Sequence, residues 1–191
     1  YSKHFQNLKG RNSYSKTDTD ATFMRMKDDS MMNGQLKAGY NLQIATNNQY
    51  ILGYDVFPNP TDTRTLTPFL STLKKEYFPL PEFIVADAGY GSEENYMNVL
   101  EKFQSTPLIT YGMYEKEQKK KYKNNPFQVN NWDYDEMSNQ FICPEGRKLN
   151  FKYNGIRNDK YGFTRHISYY ECEDCSNCPV RSLCTKAQEG F

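Results

Sequence analysis

One block near the middle of the chain constrains the fold most, because it joins a run of β-forming residues to a helix start. In VADAGYGSEENY, residues 85–96, the apolar run ends at Asp87, and two glycines separate it from Ser92, a good helix N-cap. Because ligands of open α/β sheets lie just beyond the carboxyl ends of strands, Asp87 is placed to hold a metal ion or activate a nucleophile. The alternative is that Asp87 only caps the turn, as aspartate often does.

The segments on both sides of this block extend the pattern. Residues 39–60 contain two β-rich runs separated by a TNNQ turn, which predicts an antiparallel hairpin. Apolar residues at helical spacing predict a helix within residues 61–77, followed by a short buried strand over residues 81–89. A helix over residues 92–103 and a strand over residues 107–114 follow. This order of elements predicts a mixed α/β sheet with helices crossing between its later strands.

Two local patterns inside these elements bear on packing. Tyr40, Leu42 and Ile44 alternate with polar residues, which is the period of a β-strand with one apolar face. Pro68 is awkward in a helix interior, so either Thr67 caps a helix that has Pro68 at its first position, or the helix begins earlier and bends.

Length and composition limit the classes of protein. The 191 residues are enough for one mid-sized domain or one domain with a small module, and an aromatic share of 15% argues against disorder. No apolar run approaches the roughly 20 residues of a membrane span, and the polar start predicts no signal peptide. The net charge of +1 does not indicate a nucleic-acid partner by itself. The absence of an initiator methionine suggests a piece of a longer protein.

Changes in composition divide the sequence into three parts. Residues 1–17 are polar and rich in Ser, Asn and Lys, which is typical of a linker. Residues 18–114 hold the α/β pattern, and residues 115–191 hold a basic segment followed by all five cysteines.

The cysteines are confined to one end of the chain. Clustering of this kind favours a local metal site in a reducing compartment such as the cytoplasm over a disulfide framework. Four thiolates suffice for a tetrahedral Zn²⁺ site, so one cysteine is spare. An iron–sulfur cluster and unmetallated thiols are the alternatives. The five cysteines are Cys143, Cys172, Cys175, Cys178 and Cys184.

Two basic stretches are candidates for contact with nucleic acid. The first is a lysine run that can track a phosphate backbone or can form a solvated helix face. The second, KYNGIRNDKYGFTRH over residues 152–166, alternates aromatic and basic residues, which suits base stacking with phosphate contact or an exposed hairpin. The candidate lysines of the first stretch are Lys119, Lys120, Lys121 and Lys123.

Four blocks in order carry a family resemblance. They are SKTDTDATFMRMKDDSMMNGQLKAGYNLQIAT, NPTDTRTLTPFL, ADAGYGSEENY, and CPEGRKL together with CEDCSNCPVRSLC. The chain resembles, from about residue 13 to residue 186, bacterial insertion-sequence transposases of the Asp-Asp-Glu (DDE) class. The group it resembles is the one whose DDE domain carries a cysteine cluster.

The resemblance implies a ribonuclease H-like mixed sheet with a small zinc-ribbon-like cysteine module. It implies that Asp87 is the second carboxylate of a triad that holds two Mg²⁺ ions, which activate a water or a 3′-hydroxyl and stabilise the leaving oxygen of a DNA phosphodiester. It also implies that Cys143, Cys175, Cys178 and Cys184 hold Zn²⁺, with Cys172 as the extra cysteine.

The chain departs from the family pattern in its other two acids. The block that carries the first aspartate upstream is missing, and the family's glutamate falls beyond residue 191, so we expect the isolated chain not to cleave DNA. Asp20 is a candidate stand-in for the first aspartate. Asp62 fits better as a helix cap or a supporting residue, and Glu93 and Glu94 as surface acids that favour the helix dipole.

The resemblance implies insertion-sequence terminal repeats and target DNA as partners, a homo-oligomer in the active complex, and a place in the cytoplasm at the nucleoid. Two other functions remain open from the residues. One is a non-catalytic zinc-binding module that binds DNA, or the remnant of a decayed element. The other is a metal-dependent nuclease without strand transfer.

Overall fold

The computed structural model of the chain describes residues 1–26 and 28–186. The chain forms two compact units, Tyr1–Gly112 and Met113–Phe191. Helices and several small sheets alternate along the sequence, which confirms the expected mixed α/β class. Within the described residues, no helix is long and apolar enough to cross a membrane.

The N-terminal unit begins with a helix, whereas the composition of residues 1–17 predicted a linker. Helix α1 covers Ser2–Leu8, and the guanidinium of Arg11 donates hydrogen bonds to the carbonyl oxygens of Asn7 (2.7 Å) and Thr19 (2.7 Å). These bonds tie the end of the helix to the turn that follows it, a contact that composition does not reveal.

Two antiparallel hairpins follow. Strand β1 (Thr22–Arg25) pairs with β2 (Leu36–Gly39), and β3 (Asn41–Asn47) pairs with β4 (Tyr50–Phe57) as expected. The turn between β3 and β4 places Asn48 and Gln49 at φ values of 48° and 71°, the left-handed region that two-residue hairpin turns require.

Strand β3 packs with the opposite face from the one its apolar residues suggest. Leu42 and Ile44 are 55% and 50% exposed, whereas Gln43 is 2% exposed and Ala45 packs against the core. Ala45 pairs with Gly53 of β4, where a Cβ would lie 2.6 Å from a methyl of Leu73. Small residues therefore let the next helix approach this face of the hairpin closely.

Helix α2 (Leu66–Glu76) follows a 3₁₀ turn at Asp62–Arg64. Because the helix begins at Leu66, Pro68 lies in its first turn, where the missing N–H costs no intrahelical bond. The buried side chains of the unit form one cluster under this helix. Its members are Leu66, Phe69, Leu70, Leu73, Ile84, Val99, Phe103 and Ile109.

A parallel pair of strands carries the block VADAGYGSEENY, residues 85–96. Strand β5 (Phe83–Ala86) pairs in parallel with β6 (Thr106–Ile109), and α3 (Glu93–Met97) continues into a wider helical turn at 98–102 between them. The hydroxyl of Ser92 accepts a hydrogen bond from the Asn95 N–H at 3.2 Å, which confirms the predicted cap.

The wider turn changes which residues of this helical segment are buried. Tyr96, Leu100 and Phe103 share one face in a regular helix, but Leu100 is 52% exposed and Val99 is 1% exposed. An i to i+5 turn rotates the following residues around the axis, so the face shifts by about one position.

The expectation that β5 is a buried strand is wrong. Only Ile84 is buried, while Phe83 and Val85 are 51% and 77% exposed. The helices cover one face of the strand, and no described residue covers the other.

A groove runs along the open edges of β3 and β5. It is lined by residues 43–47 and 83–86, by apolar residues of α2 and by the segment 78–81, and none of its lining side chains is charged. Because side chains alternate between the faces of a strand, a groove that touches consecutive residues lies along the hydrogen-bonding edge. Among the described residues, β3 pairs only with β4 and β5 only with β6, so both edges at the groove lack a neighbouring strand.

The C-terminal unit is an antiparallel meander with short helices. Helices α4 (Tyr114–Gln118) and α5 (Lys120–Lys123) precede a four-stranded sheet, and α6 (Arg181–Cys184) follows it. The strands are β7 (Asp133–Asp135), β8 (Gln140–Ile142), β9 (Lys148–Asn158) and β10 (Thr164–Cys172).

Aromatic side chains pack against one another across the strands of this sheet. The ring of Phe141 lies 4.8 Å from those of Tyr134 and Tyr170, and the ring of Phe151 lies 5.7 Å from Tyr170. No described residue of this unit is fully buried.

Candidate functional site

Asp87 lies where the sequence predicted, directly after strand β5. It caps the 3₁₀ turn Ala88–Tyr90, and its Oδ1 accepts a hydrogen bond from the Gly89 N–H at 2.7 Å. The turn-capping role is therefore present, and the side chain remains exposed to solvent.

A second carboxylate meets Asp87 at Gly89. A Cβ placed on Gly89 would lie 3.0 Å from Oδ2 of Asp62 and 3.0 Å from Oδ1 of Asp87. Because each oxygen lies 3.0 Å from the same point, Oδ2 of Asp62 and Oδ1 of Asp87 are separated by at most twice this distance. The absence of a side chain at Gly89 thus leaves room for two carboxylates beside one backbone position.

The buried amide of Gln43 and the half-buried amide of Asn41 hold Asp62 in place. Its Oδ1 accepts hydrogen bonds from Asn41 Nδ2 at 2.7 Å and from Gln43 Nε2 at 3.2 Å. The carbonyl oxygen of the Gln43 side chain accepts a hydrogen bond from the hydroxyl of Tyr90. Gln43 therefore links Asp62, the first residue of one 3₁₀ turn, to Tyr90, the last residue of the 3₁₀ turn after β5.

The two carboxylates also act on Tyr90 electrostatically. Burial is the main cause that raises the pKa of Tyr90 above its usual value, and the negative charges of Asp62 and Asp87 raise it further. The nearby Arg64 pairs with Glu94 at 2.7 Å. Negative charge thus collects at the end of β5, which favours a cation there.

The fit to a divalent metal is incomplete. Carboxylate oxygens are the ligands that Mg²⁺ prefers, and Asp62 and Asp87 each bring one close to Gly89. Within residues 1–26 and 28–186, however, no group of three or more His, Cys, Asp and Glu side chains is arranged to hold a metal ion. The complete triad is therefore not assembled from these residues.

Asp20 has different partners. Its Oδ1 pairs with Lys9 at 2.9 Å, and its carbonyl oxygen accepts a hydrogen bond from Arg11. The carboxylate that the structure brings to the turn of Asp87 is Asp62. Glu94, expected as a surface acid, is half-buried against Arg64.

Sequence reasoning missed the residues that connect this site. In the sequence, Gln43 is one of the polar residues that alternate with Leu42 and Ile44, and periodicity alone gives no sign that it is buried. Asn41 was missed for the same reason. Tyr90 was visible in the ADAGY block, but its bond to Gln43 joins residues 47 positions apart in the chain.

All five cysteines line one small pocket in the C-terminal unit. Partial burial, a hydrogen bond with Cys172, and the neighbouring thiols raise the pKa of Cys175 to about 11. Burial also raises the pKa of Cys184, and the charges of nearby thiols raise it further, with Cys143 contributing most among them. The thiols are close enough to influence one another, but the described residues contain no ready arrangement of metal ligands. Cys172 lines the pocket with the other four, so its position does not mark it as the spare cysteine.

The four candidate lysines fall on short, exposed elements. Lys120, Lys121 and Lys123 lie on α5, and Lys119 is the extended residue before it. The ammonium group of Lys123 donates a hydrogen bond to the side chain of Gln118 at 2.8 Å. The run is therefore broken between two helices and does not form one continuous basic face.

An α/β unit with carboxylates at the end of a strand has the architecture of enzymes that place their site at that edge of the sheet. The family model for the transposase DDE domain matches residues 11–171, so the chain belongs to this family of DNA-cleaving and DNA-joining enzymes. Comparisons with curated proteins and with solved structures found no match. The family match includes Asp20, Asp62, Asp87 and Cys143, and it ends before the other four cysteines.

Proposed function

We propose that this chain is the central part of a DDE transposase catalytic domain that cuts and joins DNA at insertion-sequence ends. The observation that carries the proposal is the placement of Asp87 at the end of β5, with Asp62 at the same glycine. The chemistry proposed is two-metal phosphodiester cleavage and strand transfer, in which bound Mg²⁺ activates the attacking hydroxyl and stabilises the leaving oxygen.

The chain's own residues have distinct roles in this proposal. Asp87 is the carboxylate that would hold a divalent ion. Asp62 is a positioning residue, because Asn41 and Gln43 already occupy its Oδ1 while its Oδ2 faces Gly89. Tyr90 stays protonated near neutral pH and fixes Gln43.

The open edges of β3 and β5 support a ribonuclease H-like sheet that is incomplete in this chain. A strand laid in the uncharged groove between them would gain backbone hydrogen bonds on both sides and join two small sheets into one. In this proposal the first aspartate enters on such a strand and the glutamate on a helix, both from outside these residues. The isolated chain is then inactive.

Plasmid nicking tests this proposal. Purified chain is incubated with supercoiled plasmid and Mg²⁺ or Mn²⁺, beside a longer protein that supplies the missing strand and helix. We expect nicking only from the longer protein, with a loss of about a thousandfold or more in Asp87→Asn, because removing a metal ligand removes the transition-state stabilisation it supports. Asp20→Asn is the matched control and is expected to keep activity.

Two results would count against the proposal. One is full nicking activity in Asp87→Asn. The other is Mg²⁺-dependent nicking by the isolated chain that Asp87→Asn abolishes, which would show that these residues hold a complete site. Cleavage without end joining in the longer protein would favour the nuclease alternative.

A structural Zn²⁺ in the cysteine pocket is the second part of the proposal. Its support is that all five cysteines line one pocket and that thiolates suit Zn²⁺. The thiols do not form a ready ligand set, so we assign no reaction step to the ion. Metal analysis after purification under reducing conditions is expected to give about one Zn²⁺ per chain. A ratio near zero would indicate unmetallated thiols, and iron with acid-labile sulfide would indicate a cluster.

A non-catalytic DNA-binding module is the alternative function. The observation that favours it is the absence of a three-acid group among the described residues. Inactivity of the longer protein together with DNA binding by the chain would support it. We further propose that the active complex is a homo-oligomer that works on terminal repeats and target DNA at the nucleoid.

A further inference from the structure

The hairpin of β9 and β10 has two unlike faces. Residues directly opposite each other in an antiparallel pair share a face, and the register pairs Tyr153 with Tyr169, Gly155 with Ile167, and Arg157 with Arg165. The opposite face carries polar pairs such as Asn154 with Ser168, whose side chains are joined by a hydrogen bond of 2.8 Å. We call the first set the tyrosine–arginine face; its members are Tyr153, Gly155, Arg157, Arg165, Ile167 and Tyr169.

The two tyrosines of this face stack on each other and remain exposed to solvent. Their rings are stacked, with centroids 4.7 Å apart and planes inclined by 23°. They remain 54% and 40% exposed. A Cβ on Gly155 would lie 2.8 Å from Cε2 of Tyr169, so the ring of Tyr169 lies over the strand where only glycine leaves room.

Covering a strand glycine with a ring stabilises a hairpin by itself. That effect accounts for the position of Tyr169, but it does not account for the arginines beside it. Arg157 and Arg165 are directly opposite each other, and like charges at opposed positions weaken a hairpin. Asp159 lies 4.0 Å from Arg165 and compensates part of this charge.

The charge that remains at this end of the hairpin is positive. Between residues 153 and 169 the chain has three Lys and Arg residues and one acid, Asp159. Lys160 lies in the turn over the ring of Tyr161, 4.7 Å from its centroid, and Arg165 lies 4.9 Å from the ring of Phe163. Cations and aromatic rings therefore alternate along the surface, which is the combination that holds phosphates and unpaired bases.

A single strand fits this surface better than a duplex. Stacking on an exposed ring requires a base that is free of its neighbour, whereas the bases of a duplex offer only their edges in the grooves. DNA cleavage also produces ends at which bases can be unpaired. We propose that the tyrosine–arginine face binds single-stranded DNA, with bases on Tyr153 and Tyr169 and phosphate on Arg157 and Arg165. This inference rests on the proposed function, because it takes DNA as the partner, and it concerns a different surface from the lysine run of α5.

Fluorescence anisotropy of the purified chain with a labelled single strand of about 15 nucleotides and with a matched duplex tests the inference. The variants are Tyr153→Leu/Tyr169→Leu and Arg157→Gln/Arg165→Gln. The control is Lys74→Gln/Lys75→Gln, which removes two positive charges from exposed positions of α2 in the N-terminal unit. Circular dichroism and thermal melting verify that each variant is folded.

We expect the tyrosine variant to bind the single strand about tenfold more weakly or worse, with a much smaller change for the duplex. The arginine variant is expected to lose affinity for the single strand. Its affinity is also expected to fall less steeply with salt concentration, by the amount that corresponds to about one to two lost phosphate contacts. The control variant is expected to stay within about threefold of the unmodified chain.

The inference is overturned if the tyrosine variant binds the single strand as tightly as the unmodified chain does. It is also overturned if the lysine control loses as much single-strand affinity as the tyrosine variant. Photo-crosslinking of a halogenated single strand to the unmodified chain keeps the test decisive if a variant does not fold. Crosslinks are expected at Tyr153 or Tyr169, and crosslinks only in α5 would count against the inference.

The outcomes separate this inference from the proposed function. Asp87→Asn is expected to bind the single strand like the unmodified chain. If Asp87→Asn abolishes cleavage in the longer protein but the tyrosine variant binds normally, only the inference fails. If the tyrosine variant loses binding but cleavage does not need Asp87, only the proposed function fails.

Discussion

The N-terminal unit buries a continuous apolar cluster under helix α2, whereas no described residue of the C-terminal unit is fully buried. The first unit places its polar network of Asn41, Gln43 and Asp62 at the edge of that cluster. The second unit relies on backbone pairing and on aromatic rings that touch water on one side. Precise positioning of carboxylates needs a rigid support, and open aromatic rings suit a surface that accepts a ligand.

The largest expected effect tests whether the core carries the stability of the N-terminal unit. Leu73 is 2% exposed in the cluster, so Leu73→Ala is expected to lower the free energy of unfolding by about 2–5 kcal/mol. Leu183→Ala is the matched control, since Leu183 is 68% exposed and its truncation is expected to cost under about 0.5 kcal/mol. Urea unfolding followed by circular dichroism measures both, and similar losses in the two variants would remove the contrast between the units.

Glycine substitutions sharpen the comparison, because each unit has one glycine that makes room for functional side chains. Gly155→Ala is expected to push the ring of Tyr169 aside and to cost about 1–3 kcal/mol, since its Cβ would lie 2.8 Å from that ring. Gly89→Ala is expected to cost less than about 1 kcal/mol, because the exposed carboxylate of Asp87 can turn away.

Although Gly89→Ala is expected to cost less stability than Gly155→Ala, it is expected to impair metal binding. Gly89→Ala is expected to weaken Mn²⁺ binding to the chain by about tenfold, because the added methyl group separates the two carboxylates, while single-strand binding stays unchanged. Gly112→Ala is the control, since its Cβ would meet its nearest neighbour at 4.0 Å. Normal Mn²⁺ affinity in Gly89→Ala would show that Asp62 and Asp87 do not act together.

The sequence predicted the elements that local patterns determine. The β3–β4 hairpin, the Ser92 cap and the position of Asp87 follow from turn chemistry and capping, which depend on near neighbours. The family resemblance was confirmed by the match over residues 11–171. Helix α1 and the wide turn after α3 were not predictable, because long-range contacts and a change of helical period decide them.

The errors at the site have one physical cause. Alternation in β3 indicates which residues share a face, but it does not tell which face the helix covers. Ala45 and Gly53 admit α2 on the side of Gln43, so the polar face is buried and Leu42 and Ile44 remain exposed. The pairing of Asp62 with Asp87 at Gly89 depends on that choice and was therefore out of reach of periodicity.

The smallest expected effect is a change in the titration of Tyr90, which reports on the two carboxylates directly. Burial raises the pKa of Tyr90 first, and the charges of Asp62 and Asp87 raise it further, so the neutral phenol is favoured in the folded chain. The resulting stabilisation is present below the ordinary tyrosine pKa of 10.0 and is lost as pH rises through the higher pKa of the folded state. Asp62→Asn is expected to lower the pKa of Tyr90 more than Asp87→Asn does, because Asp62 makes the larger charge contribution.

Carbon-13 labelling of the tyrosine ring and NMR titration measure this pKa, and Tyr90→Phe assigns the signal. Asp20→Asn is the control and is expected to leave the Tyr90 titration unchanged, because its partner is Lys9. Saturating Mg²⁺ is expected to lower the pKa of Tyr90 in the unmodified chain, since a bound cation offsets the carboxylate charges, and to have less effect in Asp87→Asn. An identical Mg²⁺ effect in both would place the cation elsewhere and would leave the N-terminal unit as a rigid support without its proposed ligand.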